Sequence, residues 1–89
     1  MLTSELLIIN KLGLHARATA KLVRLLQQYQ SEVNLEFNGL FANGKSIMSV
    51  MMLAASQGSL IKLSIKGSDE EQCSLAITQL FSTRFGESE

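Results

Sequence analysis

Apolar and polar residues alternate with a period of two in two stretches of this chain. Val33, Leu35 and Phe37 interleave with Glu32, Asn34 and Glu36, and Ile61, Leu63 and Ile65 interleave with Lys62, Ser64 and Lys66. Each pattern predicts a strand with one dry and one wet face, over Glu32–Phe37 and Leu60–Lys66. Asn38-Gly39 supplies the positive φ angles of a tight hairpin, so Leu40–Ala42 is expected as a short return strand. Glu5–Asn10 is a short apolar run between polar residues and predicts the first strand.

Elsewhere the spacing is helical. Ala18, Leu22, Leu25, Leu26 and Tyr29 fall on one face of a helix expected over Ala16–Tyr29, with Arg17, Lys21 and Arg24 in a stripe on another. Ser46 reads as the N-cap of a second helix running to about Ala55, with Gly58 as its stop. Val50, Leu53 and Ala54 are assigned to the core side of that helix. Ile47, Met48 and Met51 fall on another face, expected to be an exposed docking patch, because a chain this short has little left to cover it. Ser68 and Glu71 form a capping box for a third helix, with Ala76, Ile77, Leu80 and Phe81 as its buried stripe. The order is β-α-β-β-α-β-α. Strands wet on one face predict an α+β fold, an antiparallel sheet with all helices on one side.

The chain has 89 residues, 46% apolar and 18% charged, and is expected to form one domain over 1–89. Such a chain buries about 60% of its unfolded surface, which leaves no room for a large interior chamber. One cysteine excludes an internal disulfide, and one cysteine with one histidine excludes the common zinc frameworks, so no metal site is expected. Counting does not exclude a Ser–His–Asp site, for which His15 and Asp69 are the only candidates of their type. Cys73 lies in a helical pattern and is expected to be buried. The longest apolar run, Val50–Ala55, is far short of the ~20 residues of a membrane span. No basic residue precedes the apolar stretch at the N-terminus, as a secretory signal would require, and a cytoplasmic address is expected.

The net charge is zero but unevenly spread. Residues 6–31 hold Lys11, Arg17, Lys21 and Arg24 and no acid, whereas residues 67–89 hold five acids against Arg84. The first block suits an acidic or phosphorylated partner; two solvated faces would give the same distribution.

Two stretches bear on phosphate chemistry. Gly39–Ser46 matches G-x-x-x-x-G-K-[ST], the phosphate loop of nucleotide hydrolases. Leu40 and Phe41 fit a return strand better than such a loop, and the only aspartate, Asp69, follows Lys-Gly-Ser instead of an apolar strand. Nucleotide hydrolysis is therefore set aside. His15 is the other candidate. It lies between Gly13 and a helix start, where an imidazole can accept a phosphoryl group and unpaired backbone N–H groups favour its charge. Arg17 adds planar donors two residues on.

Asn10-Lys-Leu-Gly-Leu-His-Ala-Arg17 and Asn43-Gly-Lys-Ser-Ile-Met-Ser-Val-Met-Met-Leu-Ala-Ala55, in this element order, resemble the histidine-containing phosphocarrier (HPr) family, including its nitrogen-branch relatives. The resemblance covers nearly the whole chain. It implies an open-faced β-sandwich, a four-stranded antiparallel sheet of order 1-4-2-3 under three helices. It implies that His15 takes a phosphoryl group from enzyme I of the phosphoenolpyruvate phosphotransferase system and passes it to IIA proteins, for sugar uptake or regulation. The protein would be a carrier in a relay rather than a stand-alone catalyst, working without a cofactor, as a monomer, with no nucleic acid and no membrane insertion. Arg17 would steady the phosphate. Ser46 would correspond to the serine modified by HPr kinase/phosphorylase. Ala20, Arg24, Ile47, Met48 and Met51 would form the shared partner surface. The family's usual proline three residues after the histidine is Ala18 here, which restores an N–H to the helix's first turn. A ferredoxin-like binding domain is the other reading of a βαββαβ core, and it leaves the third helix, His15 and the methionine patch without a role.

Overall fold

The computed structural model describes residues Met1–Glu89. Its elements are β1 (Leu2–Leu7), α1 (Ala16–Leu26), β2 (Glu32–Phe37), β3 (Leu40–Asn43), α2 (Ile47–Met51), β4 (Leu60–Lys66) and α3 (Glu70–Ser82), followed by a 3-10 turn at Arg84–Gly86. The four strands form one antiparallel sheet of order β1-β4-β2-β3. α3 packs on β1 and β4, α2 on β3, and α1 against the other two helices.

Register explains the two faces of the sheet. Leu63 of β4 stands between Ser4 and Leu35, and Leu35 also faces Ala42. That row, with Ile61, Ile65 and Val33, is the dry floor of the core. On the other face Lys62 stands between Glu5 and Glu36. Opposite charges directly across the strands favour this register on the wet side. Asn38 and Gly39 both adopt positive φ, 55° and 80°, as the hairpin between β2 and β3 requires.

Several boundaries differ from the expectation. β1 occupies Leu2–Leu7 instead of Glu5–Asn10, because its ladder is set by β4, whose Leu60–Ile65 pairs with those six residues. Beyond it only Ile8 keeps the pairing, donating to the Ser59 carbonyl at 2.9 Å and accepting from the Gly58 N–H at 2.8 Å. Asn10 is then buried in a loop. α1 stops at Leu26. Gln28 and Tyr29 donate three residues back, to Leu25 and Leu26, which tightens the chain into a turn. Its buried residues are Ala18, Thr19, Leu22, Val23 and Leu26, while Leu25 and Tyr29 are half-buried.

α2 is five residues long instead of ten. Leu53 and Ala54 bond three residues back and Ala54 takes φ 52°, so the helix ends well before Gly58. Val50 and Leu53 are buried as expected, but Ala54 is exposed and Ala55 takes its place inside. The early stop delivers the Ala55 carbonyl to the Leu14 N–H at 2.9 Å. Gly58, at φ 90°, serves the turn into β4 instead.

The capping box does not form. Asp69, not Ser68, is the N-cap of α3, and its carboxylate bonds outside the helix. Cys73, Ile77 and Phe81 are the buried residues of α3, with Ala76 and Leu80 half-buried. Burial pushes the Cys73 thiol above its ordinary range, with Asp69 adding to the rise, which leaves it a poor nucleophile. Phe85 then folds back onto Phe81, ring centroids 4.9 Å apart, and is fully buried despite φ 55°. This docking turns the last four residues across the N-terminal end of α1.

Candidate functional site at the N-terminus of α1

The loop before α1 is built on glycine and asparagine. Gly13 has φ 67°, and a Cβ there would sit 2.6 Å from the Ala55 carbonyl oxygen and 2.8 Å from Ser56 Cα. Only glycine permits that approach. The Asn10 side chain is wholly buried and donates from Nδ2 to the Gly13 carbonyl and to Glu87 Oε1, each at 2.9 Å. Thr19, inside α1, donates its hydroxyl to the Leu14 carbonyl at 3.1 Å. The loop is thereby held from three sides.

His15 is the N-cap of α1, with an extended backbone of ψ 179° and a side chain 27% exposed. Its carbonyl accepts from the Thr19 N–H at 2.9 Å, and its Nδ1 accepts from the Arg17 N–H at 3.3 Å. Nε2 points the other way, to Glu87 Oε2. His15, Arg17, Lys11, Leu12 and the tail Glu87–Glu89 surround an open cleft of about 630 Å³. No carboxylate lies within ion-pair distance of Arg17, so its guanidinium is uncommitted at the cleft edge. Burial works to raise the Glu87 carboxyl, but hydrogen bonds from Asn10 and His15 hold it below its ordinary value of 4.5. It is ionised at neutral pH.

This arrangement suits a tetrahedral anion on Nδ1. The imidazole lone pair faces the start of an 11-residue helix, where the dipole and first-turn N–H groups favour negative charge, and Arg17 stands beside it. Ala18, the third helical residue, is fully buried and contributes to the core instead of the cleft.

The remaining expected residues lie along α1 and α2. Ala20 is half-buried and its carbonyl accepts from Arg24 Nε at 3.4 Å. Ile47, Met48 and Met51 are 44%, 71% and 39% exposed, joined by Met52 at 74% and by Leu12 at 67%. The three α2 residues expected at the surface are therefore exposed, with Met52 next to them in the chain, while Leu12 lines the His15 cleft. Ser46 caps α2, accepting the Ser49 N–H at 3.3 Å. The nucleotide-type motif forms no phosphate loop. Its first residues after Gly39 are β3, and Lys45 Nζ is turned to the Tyr29 carbonyl at 2.8 Å.

Residues 2–83 match the family model described as PTS HPr component phosphorylation site. The chain belongs to the HPr family of phosphocarrier proteins. It is 53% identical over 87 residues to the phosphocarrier protein HPr of Xylella fastidiosa, covering 98% of each chain, and 49% identical over 89 residues to that of Cupriavidus necator, covering all of both. Among solved structures it is similar to HPr-C-His from Thermoanaerobacter tengcongensis, with TM-score 0.95 and 39% identity over the full length of both chains. That solved structure shares the fold of this chain, and the family membership gives the phosphotransferase system as the setting of this protein.

Sequence reading missed Glu87. It stood among the acids of the C-terminal block, where nothing in its spacing separated it from solvated neighbours. Asn10 was seen as part of the motif, and its burial was not.

Proposed function

We propose that this protein carries a phosphoryl group on His15 Nδ1, received from enzyme I and passed to IIA proteins. The observation that supports this most is the placement of Nδ1 beside the Arg17 N–H at the α1 N-terminus, over an open cleft edged by an unpaired guanidinium. The Nδ1 lone pair attacks phosphorus as the donor's P–N bond breaks, and the reverse sequence delivers the group to the acceptor. Arg17 meets the charge on the phosphoryl oxygens. No step requires a cofactor or metal, and a monomer suffices.

Ala20, Arg24, Ile47, Met48 and Met51 form the surface that meets enzyme I and the IIA proteins in turn. Exposed methionines on a short helix suit partners of different shape. Ser46 is the regulatory site of an ATP-dependent kinase/phosphorylase, placed next to that surface in the chain. The carrier works in the cytoplasm, and no helix is long and apolar enough to cross a membrane.

The experiment is intact-mass spectrometry after incubation with phosphoenolpyruvate and enzyme I. A phosphate-sized gain, labile to acid and stable to alkali, is expected for the native chain. His15→Ala should remain folded and show no gain. Label retained by that variant would remove His15 as the acceptor.

A further inference from the structure

The C-terminal tail reaches the imidazole from the side away from Nδ1, and its attachment is extensive. Phe85 is buried against Phe81, and its carbonyl accepts Lys21 Nζ at 2.7 Å. Two residues past Glu87, the Glu89 carbonyl accepts the Lys11 N–H at 2.6 Å and its carboxylate pairs with Lys11 Nζ at 3.3 Å. Glu87 is thus held on both flanks. Its own carboxylate is fixed between two donors, with Oε1 on Asn10 Nδ2 and Oε2 on His15 Nε2. Asn10 has no spare amide proton, since the other goes to the Gly13 carbonyl.

We infer that Glu87 is a positioning residue for phosphoryl transfer: its carboxylate keeps the His15 ring proton on Nε2 and balances the charge that the ring acquires. This rests on the reading of His15 as the acceptor. An ionised carboxylate can only accept, so the nitrogen facing it carries the proton. Nδ1 is then left with its lone pair towards the Arg17 N–H. When the Nδ1–P bond forms, the lone pair becomes that bond and the ring becomes cationic, with the proton still on Nε2. When the phosphoryl group leaves, the electron pair returns to Nδ1 and the ring is neutral again. No proton enters or leaves in either direction. A fixed carboxylate on Nε2–H stabilises the cationic form without rearranging, as the aspartate of a catalytic triad does for its histidine. The other charges facing the ring or its partner are Lys11 from the preceding loop and Arg17 and Lys21 from α1. These three are cations. Glu89 also lines the cleft, but its carboxylate pairs with Lys11 Nζ, so Glu87 is the one anion in contact with the ring.

Two variants of the full chain separate the carboxylate's charge from its hydrogen bond. Glu87→Ala removes both, and Glu87→Gln keeps a neutral acceptor. The first readout is nitrogen-15 NMR of the His15 ring at a pH where it is neutral, and it needs no enzyme I. The native protein should give two well-separated ring signals, Nε2 protonated and Nδ1 not, and Glu87→Ala should move them together. The second readout is the rate of phosphate gain from phosphorylated enzyme I. Glu87→Ala should be slower by at least about tenfold, with Glu87→Gln between it and the native chain. Glu87→Gln should melt close to the native chain, because Phe85 and Lys21 still anchor the tail. Glu87→Ala also leaves the buried Asn10 Nδ2 without its partner and should melt lower, so rates are compared well below both melting temperatures. Native-like ring signals and rates in Glu87→Ala would overturn the inference. A native chain that takes no phosphate would instead overturn the assignment of His15 as acceptor, while the ring signals alone would still decide whether Glu87 sets the proton.

Discussion

The Asp69 carboxylate accepts the Ser31 hydroxyl at 2.5 Å and clamps the start of α3 to the entry of β2. The Ser31 and Gln30 N–H groups donate to the same carboxylate, at 3.0 and 2.8 Å. Gly67 lies against this clamp so closely that a Cβ there would be 2.5 Å from Ser31 Cα.

The clamp makes stability depend on pH. The Ser31 hydroxyl first, and the Gln30 amide next, hold the Asp69 carboxyl below its ordinary value of 3.8. The folded state therefore binds fewer protons than the unfolded chain in this range. The stabilisation is complete above the ordinary value and is lost as pH falls through the depressed one. Asp69→Asn should lower the melting temperature at pH 7, and the gap from the native protein should close in acid, below pH 3.8. A gap of constant size would show that charge on Asp69 is not involved. The measurement is a thermal melt by circular dichroism across pH.

Gly13→Ala should damage fold and site together. The positive φ alone costs about 1–2 kcal/mol, and the added Cβ would overlap the Ala55 carbonyl and Ser56. Relief requires the loop to move, and that loop carries Asn10 and His15. The expected result is a lower denaturant midpoint and slower phosphate gain. A stable variant with an unchanged rate would show that the loop tolerates the shift.

Met48→Asp should leave the fold intact and weaken docking. Met48 is 71% exposed, so little burial is lost. Loss of an apolar anchor at an interface typically costs about 1–2 kcal/mol or more. Titration calorimetry with enzyme I should show weaker binding, with a melting temperature close to native. A large fall in melting temperature would mean that Met48 supports the core.

Ser46→Asp should be at least as stable as the native chain, because an Asp carboxylate can replace the hydroxyl that caps the Ser49 N–H. It should also be a poorer substrate for enzyme I. The new charge adjoins Ile47 and Met48 in the chain, two residues of the partner surface proposed above. Exposed charges are screened over about 10 Å at 0.1 M salt, so raising salt should narrow the difference in initial rate. Equal rates at low salt would leave Ser46 as a helix cap alone.

Residues whose environment is local were readable from the chain. β2 and β4 alternate because one face is wet, and Asn38-Gly39 and Ser46 act through their own backbones, so each was found in place. Where a distant partner decides, the pattern ran out. Leu6, Leu7, Ile8 and Ile9 are contiguous apolar residues that permit either register, and β4 makes the choice. Ser68 and Glu71 have capping-box spacing, but Ser31, 38 residues from Asp69, recruits Asp69 and moves the helix start. The His15 site shows the same division. His15, Arg17 and the glycine loop were legible as a motif, whereas Glu87 reaches His15 across 72 residues, and Phe85 turns the chain there in a conformation that its residue type disfavours.

The strand order β1-β4-β2-β3 also governs how the chain can assemble. β4 is the last strand made, yet it is the only neighbour of β1 and the inner neighbour of β2. A nascent chain that ends before Leu60 holds a β2–β3 hairpin and an unpaired β1, and an isolated hairpin is marginal in water. Native order must then arrive in one late, cooperative event, after the loop-closure entropy of long-range pairing has been met. A fragment of residues 1–59 should accordingly show no protected amides in hydrogen exchange, and a carrier stalled at that length would offer its partners no folded surface to engage.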